Sequence, residues 1–280
     1  MGLFTNFTAR LSKHAHEKRA RKVSENSRHS SNKMEYLLDN KTPFDITEAF
    51  RNLKAALSVS VPKKEGGVVI SFTSAYPEEG KTTVSVNLAL MFALSDAKVL
   101  LIDADIRKGR VARYFKHKSK PGLSDYLSGQ NGLEEILHKS TLNENLTYIT
   151  CGTHSPKPYE LLESEQMKDL LAQLRGEYDF ILIDTPPVLL ISDALAFTPY
   201  IDGTVLICRH QYSFVSDIER TLNTLSFSKA NVLGVIVNDY KAEAPNRLQG
   251  KYKKYYRYYR YSSYTYGFTD PTESDEVVKK

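Results

Sequence analysis

The segment SAYPEEGKTT, residues Ser74–Thr83, ends in Gly80-Lys81-Thr82, a combination suited to holding a phosphate group. Glycine lets the backbone approach the phosphate, and successive N–H groups at a following helix N-terminus supply positive potential. Lys81 would reach the β- and γ-phosphates of a nucleotide, and the Thr82 hydroxyl would ligate Mg²⁺. Ala75 stands where the general pattern has its first glycine, and Gly-Lys-Thr alone recurs by chance. Two further segments narrow the reading: LLIDADIR, Leu100–Arg107, and ILIDTPP, Ile181–Pro187. Each places an acid after three apolar residues. Ligands of parallel sheets bind beyond the carboxyl ends of the strands, so Asp103, Asp105 and Asp184 are expected to converge on the glycine loop. Carboxylates there hold Mg²⁺ directly or through water, and one of them can orient or deprotonate an incoming hydroxyl. A lone aspartate after a strand is more often a cap or turn residue.

A hydroxyl is plentiful elsewhere. Eight of the chain's 18 tyrosines lie between 252 and 266, in YKKYYRYYRYSSYTY. They are Tyr252, Tyr255, Tyr256, Tyr258, Tyr259, Tyr261, Tyr264 and Tyr266. The run has no helix or strand period that would bury so many rings on one face. It reads as a substrate segment rather than a core. Its interleaved Lys and Arg would also allow stacking on bases and tracking of phosphates, although nucleic acid is the less favoured partner.

These groups need a scaffold. Continuous apolar runs at 68–72, 99–102, 146–149, 180–183, 204–208 and 232–237 predict strands. Residues 47–59, 82–94, 123–127, 133–137 and 159–174 predict helices, the first capped by Thr47. Strands apolar on both faces and alternating with helices indicate a parallel sheet covered on both sides. The fold class expected is α/β, a doubly wound, mostly parallel sheet of P-loop NTPase type. Its domain spans 41–240, with a basic segment at 1–40 and a tail at 241–280, both expected to be flexible. Leu3, Phe4, Phe7 and Leu11 recur at helical spacing, which fits either a short amphipathic helix or a frayed end.

The whole chain has 280 residues, 41% of them apolar, and a formal net charge of +5. Residues 10–33 hold eight Lys/Arg against Glu17 and Glu25, and 247–260 hold six with no acid. Basic ends suit anionic lipid, nucleic acid or an acidic partner. Cys151 and Cys208 match no metal or redox spacing, so a reduced, cytoplasmic setting is expected. No signal peptide or membrane span is expected, since the most apolar run, 88–94, is too short to cross a bilayer.

Taken together, these motifs resemble the bacterial tyrosine kinases (BY-kinases) that regulate capsular and exopolysaccharide synthesis. The resemblance covers roughly 47–266. It rests on the loop at 74–83, on the D-x-D-x-R and D-T-P-P motifs at 103–107 and 184–187, and on the tyrosine cluster. Glu78 stands where the family commonly has glycine, with an effect expected on loop conformation more than on binding. The resemblance implies ATP and Mg²⁺ bound through Ala75, Glu79, Gly80, Lys81, Thr82 and Thr83, with Thr82, Asp103 and Asp184 around the metal. It implies Lys81, Asp103, Asp105 and Asp184 as catalytic groups, Asp105 assisting the metal or acting as base toward a tyrosine hydroxyl. Arg107, with Lys108 and Arg110, would steer phosphates or a neighbouring tail. Asn238 would contact adenine, or simply cap its strand. An E-x-x-R-x-x-R assembly motif is represented by Glu48, Arg51 and Lys54, residues that also read as a solvated helix face. Partners implied are further copies in a ring, a membrane-anchored activator of the polysaccharide co-polymerase type, and a tyrosine phosphatase. The enzyme would then sit peripherally at the inner face of the plasma membrane.

The nearest rival is a P-loop ATPase switch of the partition or division-site type. That type carries a signature lysine at the second loop position, where this chain has Tyr76. An iron–sulfur reductase of the same superfold would need cluster cysteines, and a non-catalytic scaffold would not need the lysine and carboxylates.

Overall fold

The computed structural model describes residues 36–61 and 66–240. Helix α1 (Phe44–Ser60) opens the fold. Strand β1 (Val68–Ser74) leads through the glycine loop into α2 (Lys81–Ala93), and β2 (Val99–Asp103) follows. Short helices α3 (Val111–Tyr114), α4 (Leu123–Leu127) and α5 (Leu133–Ile136) precede the hairpin strands β3 (His138–Lys139) and β4 (Leu146–Ile149). Helices α6 (Pro158–Glu163) and α7 (Glu165–Leu174) lead to β5 (Phe180–Asp184). Strand β6 (Gly203–Arg209), helix α8 (Val215–Phe227) and strand β7 (Val232–Asn238) close the described chain.

Among the described residues the sheet has seven strands, ordered β3-β4-β2-β5-β1-β6-β7. All neighbours run parallel except β3, which pairs antiparallel with β4. Alternation divides the apolar side chains between two cores. Ile70, Phe72, Leu101, Leu182, Val205 and Ile207 face α2 and α1. Val69, Leu100, Ile102, Ile181 and Ile183 face α7, which presents Met167, Leu170, Leu171 and Leu174. Apolar surface on both faces of a strand therefore finds cover, as the doubly wound reading requires. Helix α2 is buried from Val84 to Ala93, because α1 covers the side that the sheet leaves open.

Several expectations are adjusted. Helix α1 starts at Phe44 behind Pro43, not at a Thr47 cap; the Thr47 hydroxyl instead donates to the Pro43 carbonyl at 3.3 Å. Leu37 is buried in the core and the Leu38 N–H donates to Asn87 Oδ1 at 2.8 Å, so the fold reaches back past residue 41. The helix expected over 159–174 breaks at Ser164, whose side chain caps α7 by accepting the Met167 N–H. Strand β7 is apolar but not covered on both sides: Ile236 is buried, whereas Val235 and Val237 are exposed. The tyrosine cluster and the N-terminal segment 1–35 lie outside the described residues.

Candidate active site

Strands β1, β2 and β5 are neighbours, and their carboxyl ends deliver the three motifs to one place. Asp103 and Asp184 are matched in register across β2 and β5, and Asp184 is matched to Phe72 on β1. The loop after β1 turns into α2 at Gly80, which has φ +89°. An added Cβ would lie 1.8 Å from Asn238 Nδ2. Backbone conformation and space both demand glycine there. Helix α2 carries no side-chain cap and no acid in its first turn, so its N-terminal amides and dipole favour an anion.

Lys81 Nζ donates to Asp184 Oδ1 at 2.8 Å, and Thr82 Oγ1 donates to Asp184 Oδ2 at 2.7 Å. One carboxylate thus joins the cationic and hydroxyl ends of the loop. Asp103 is fully buried; its Oδ1 accepts the Asp105 N–H at 3.2 Å and its Oδ2 the Val111 N–H at 2.9 Å. Burial, then the charge of Asp184, pushes the Asp103 carboxyl up to about 8. Burial likewise raises Asp105, whose Oδ1 accepts the Lys108 N–H at 2.9 Å. Gly109 lets this turn close over the acids, since a Cβ there would lie 2.6 Å from Asp103 Oδ2.

This donor set fits Mg²⁺. Buried carboxylates facing one lysine leave negative charge for a divalent cation, and Thr82, Asp103 and Asp184 offer hard oxygens. Among the described residues no three His, Cys, Asp or Glu side chains form a ready cage. Mg²⁺ needs none, because it takes one or two carboxylates together with phosphates and water.

Other expected site residues face elsewhere. The Glu79 side chain turns inward, accepting the Tyr76 N–H at 2.9 Å and the Ser213 hydroxyl. Burial pushes it up to about 7. Thr83 shares a hydrogen bond with Tyr114 Oη at 2.6 Å, and Ala75 is buried. Arg107 is held bidentately by buried Asp193, at 2.7 and 3.2 Å, and Arg110 pairs with Glu78 at 2.9 Å. Asn238 donates to the Glu79 carbonyl at 3.1 Å, tying β7 to the loop. On α1, Glu48 and Arg51 pair with each other on the solvent side, while Lys54 is half-buried. Sequence reasoning missed Asp193, Tyr114 and Ser213, which act by bracing. Cys151, which matched no metal or redox spacing in the sequence, sits behind Gly109 with its thiol pushed up to about 12 by burial and then by Asp103.

Residues 67–231 match the family model described as an AAA domain. The tyrosine-protein kinase CpsD of Streptococcus pneumoniae serotype 4 is 38% identical over 171 residues, covering 61% of this chain and 75% of the relative. The tyrosine-protein kinase ptk of Acinetobacter johnsonii is 35% identical over 192 residues, covering 69% of this chain but 26% of the relative. The chain thus spans about a third or less of such longer relatives. Among solved structures, the kinase domain of the Escherichia coli tyrosine kinase ETK superposes with a TM-score of 0.65 at 30% identity, covering 71% of this chain and 79% of that one. The septum site-determining protein MinD of Pyrococcus horikoshii, complexed with Mg-ADP, reaches 0.54 at 26% identity, over 62% of this chain and 71% of that one. The glycine loop, the two strand-end acid motifs and these likenesses lead to one conclusion: the chain belongs to the bacterial tyrosine-protein kinases, built on an AAA-type P-loop domain.

Proposed function

We propose that this chain is an ATP- and Mg²⁺-dependent protein-tyrosine kinase that phosphorylates the tyrosine cluster at 252–266 of a neighbouring copy, and that it regulates capsular or exopolysaccharide synthesis and export. The observation that carries the reading is the junction at Asp184, where Lys81 and Thr82 meet the two oxygens of one carboxylate beside Asp103. The relatives' names, CpsD among them, support the tyrosine substrate and the polysaccharide setting.

Phosphoryl transfer needs positioning and charge neutralisation more than covalent help. When bound, Mg²⁺ would supply charge neutralisation between the phosphates, with Thr82, Asp103 and Asp184 holding it. Gly80 and the first turn of α2 seat the phosphates, and Lys81 exchanges its Asp184 contact for a phosphate oxygen. A tyrosine hydroxyl titrates near pH 10, so it becomes a competent nucleophile when a carboxylate takes its proton. Asp105 is the proposed acceptor, because burial raises its proton affinity and it lies two residues beyond Asp103 in the turn that follows β2. Glu48, Arg51 and Lys54 are proposed to contribute to the ring contact that presents one tail to the next site. A membrane-anchored activator and an opposing phosphatase complete the proposed cycle and would keep the enzyme peripheral to the cytoplasmic face of the membrane. No helix among the described residues is long and apolar enough to cross a membrane.

A mixing experiment tests the arrangement in trans. Lys81→Met protein with an intact tail is combined with protein whose eight tail tyrosines are phenylalanine. Labelling of the Lys81→Met tail is expected, and its absence beside active wild type would overturn transfer between copies. ATP hydrolysis with no labelling in any mixture would favour the division-site type of ATPase instead.

A further inference from the structure

The loop between β1 and α2 is held from outside by four side chains, those of Arg209, Tyr212, Ser213 and Asn238. Tyr212 Oη donates to the Pro77 carbonyl at 3.1 Å. Arg209 Nη1 donates to the Glu78 carbonyl at 3.3 Å, while its Nε and Nη2 donate to Asp239 Oδ2 at 3.1 and 2.9 Å. Asn238 Nδ2 donates to the Glu79 carbonyl at 3.1 Å. Ser213 donates to Glu79 Oε1, and Glu79 Oε2 takes the Tyr76 N–H at 2.9 Å. Three successive loop carbonyls and one buried acid are therefore fixed by the ends of β6 and β7.

Glu79 is the unusual member, because it is 1% exposed and directly precedes the phosphate-seating glycine. An ionised carboxylate there would oppose the charge of any phosphate seated at Gly80. A neutral carboxyl makes the same two contacts, accepting from Tyr76 and donating to Ser213, without that repulsion.

We infer that Glu79 is a positioning residue: joined to Ser213 and Tyr76, it holds the phosphate loop in its binding shape, and it does so best without a charge. The inference deepens the kinase reading and rests on it only for the identity of the phosphate donor. The geometry makes nucleotide binding linked to proton uptake at this residue. Burial already places its titration near pH 7, and a seated phosphate would push it further up. The titratable groups that interact with it are Tyr76 on the loop, Cys208 on β6, Tyr212 after it and Asp217 on α8; these in turn meet Arg220 on α8, Arg209 at the end of β6, Glu78 and, through Arg209, Asp239. The Glu79 charge adds to burial in raising Cys208 and Tyr212, so neither is positioned to ionise in its place.

The test is Mg-ADP binding by calorimetry to the full chain between pH 6 and 8, with steady-state KM and kcat for ATP alongside. Glu79→Gln keeps both hydrogen bonds and no charge. It is expected to bind within about threefold of wild type at pH 6 and to lose most of the weakening that wild type shows toward pH 8. Ser213→Ala and Glu79→Ala are expected to raise the ADP dissociation constant about tenfold or more, through KM rather than kcat, with Glu79→Gln restoring it. Equal pH dependence in wild type and Glu79→Gln would overturn the proton linkage. Alanine variants that lower the melting temperature and leave ADP affinity unchanged would reduce Glu79 to a structural residue. Because ADP binding involves no phosphoryl transfer, these outcomes are read independently of whether tyrosine is the acceptor.

Discussion

Asp184 is the residue through which Lys81 and Thr82 are aligned, and its neighbours set how the site responds to pH. Burial and the Asp184 charge raise Asp103, and the Val111 N–H and then Lys81 act against them. Replacing Lys81 by methionine leaves buried carboxylates without a counter-charge, and Asp103 then binds its proton more tightly in the folded state. A raised folded-state affinity gives stability that is present at low pH and lost as pH rises. The melting temperature of nucleotide-free Lys81→Met is therefore expected to fall further below wild type as pH rises past about 8, where wild-type Asp103 begins to ionise. A constant margin would contradict this. Glu79 follows the same sign, with its cost developing between its ordinary value of 4.5 and about 7. Glu79→Gln should gain stability relative to wild type across that window, by about 1–3 kcal/mol once the carboxylate is fully ionised. Glu78 has φ +67°, which ordinarily costs a non-glycine residue about 1–2 kcal/mol. Its ion pair with Arg110 is half-exposed and returns at most about 1 kcal/mol. Glu78→Gly should leave stability within about 1 kcal/mol of wild type or raise it, and Glu78→Val should lower it, by chemical denaturation. The departure from glycine noted in the sequence thus changes the residue while the left-handed turn remains.

At the scale of elements, the site is assembled by strand order. β5 lies between β1 and β2, so three motifs dispersed over about a hundred residues of sequence meet at one edge. This much was legible because each motif follows a continuous apolar run, and such runs mark buried strands by themselves. Helix α8 was not foreseen. VSDIERTLNTLSF mixes threonine, serine and asparagine with spaced apolar residues, and its helix depends on packing Leu225 against Val188, Ala194 and β7. The braces were equally hidden, since Asp193 and Ser213 act by proximity in space. The same strand order places a clamp at the far end of β1. Arg175 donates to Asp202 at 2.6 Å, to the Gly67 carbonyl at 2.7 Å and to the Tyr200 carbonyl at 3.0 Å, and Asp202 also accepts the Val69 N–H. Arg175→Ala leaves the nearly buried Asp202 short of its cation, so a loss of about 2–4 kcal/mol is expected. ADP affinity of the folded variant should be unchanged, because the clamp lies at the strand end opposite the phosphate loop. A weakened affinity would mean that the two ends of β1 are coupled.

In the whole molecule a P-loop domain and a tyrosine-rich segment share one chain. Each phosphotyrosine carries about −1.5 to −2 charges at neutral pH, so about four would cancel the six basic charges of 247–260. Modification should reverse the sign of the tail and reduce its attraction to an acidic site, loosening any assembly that depends on tail exchange. If Glu48 and Arg51 contribute to that assembly, Arg51→Glu should shift the chain toward monomer in sedimentation. It should also lower tail labelling most at low protein concentration, and ADP affinity should not change. The most direct test is intact-mass and tail-peptide mass spectrometry after incubation with ATP and Mg²⁺, with wild type and Lys81→Met side by side, each with and without an activator's cytosolic segment. Multiple phosphate additions within 252–266 in wild type, absent from Lys81→Met, are predicted. Unlabelled wild-type tails despite ATP turnover in the presence of activator, or equal labelling of Lys81→Met alone, would contradict the kinase assignment.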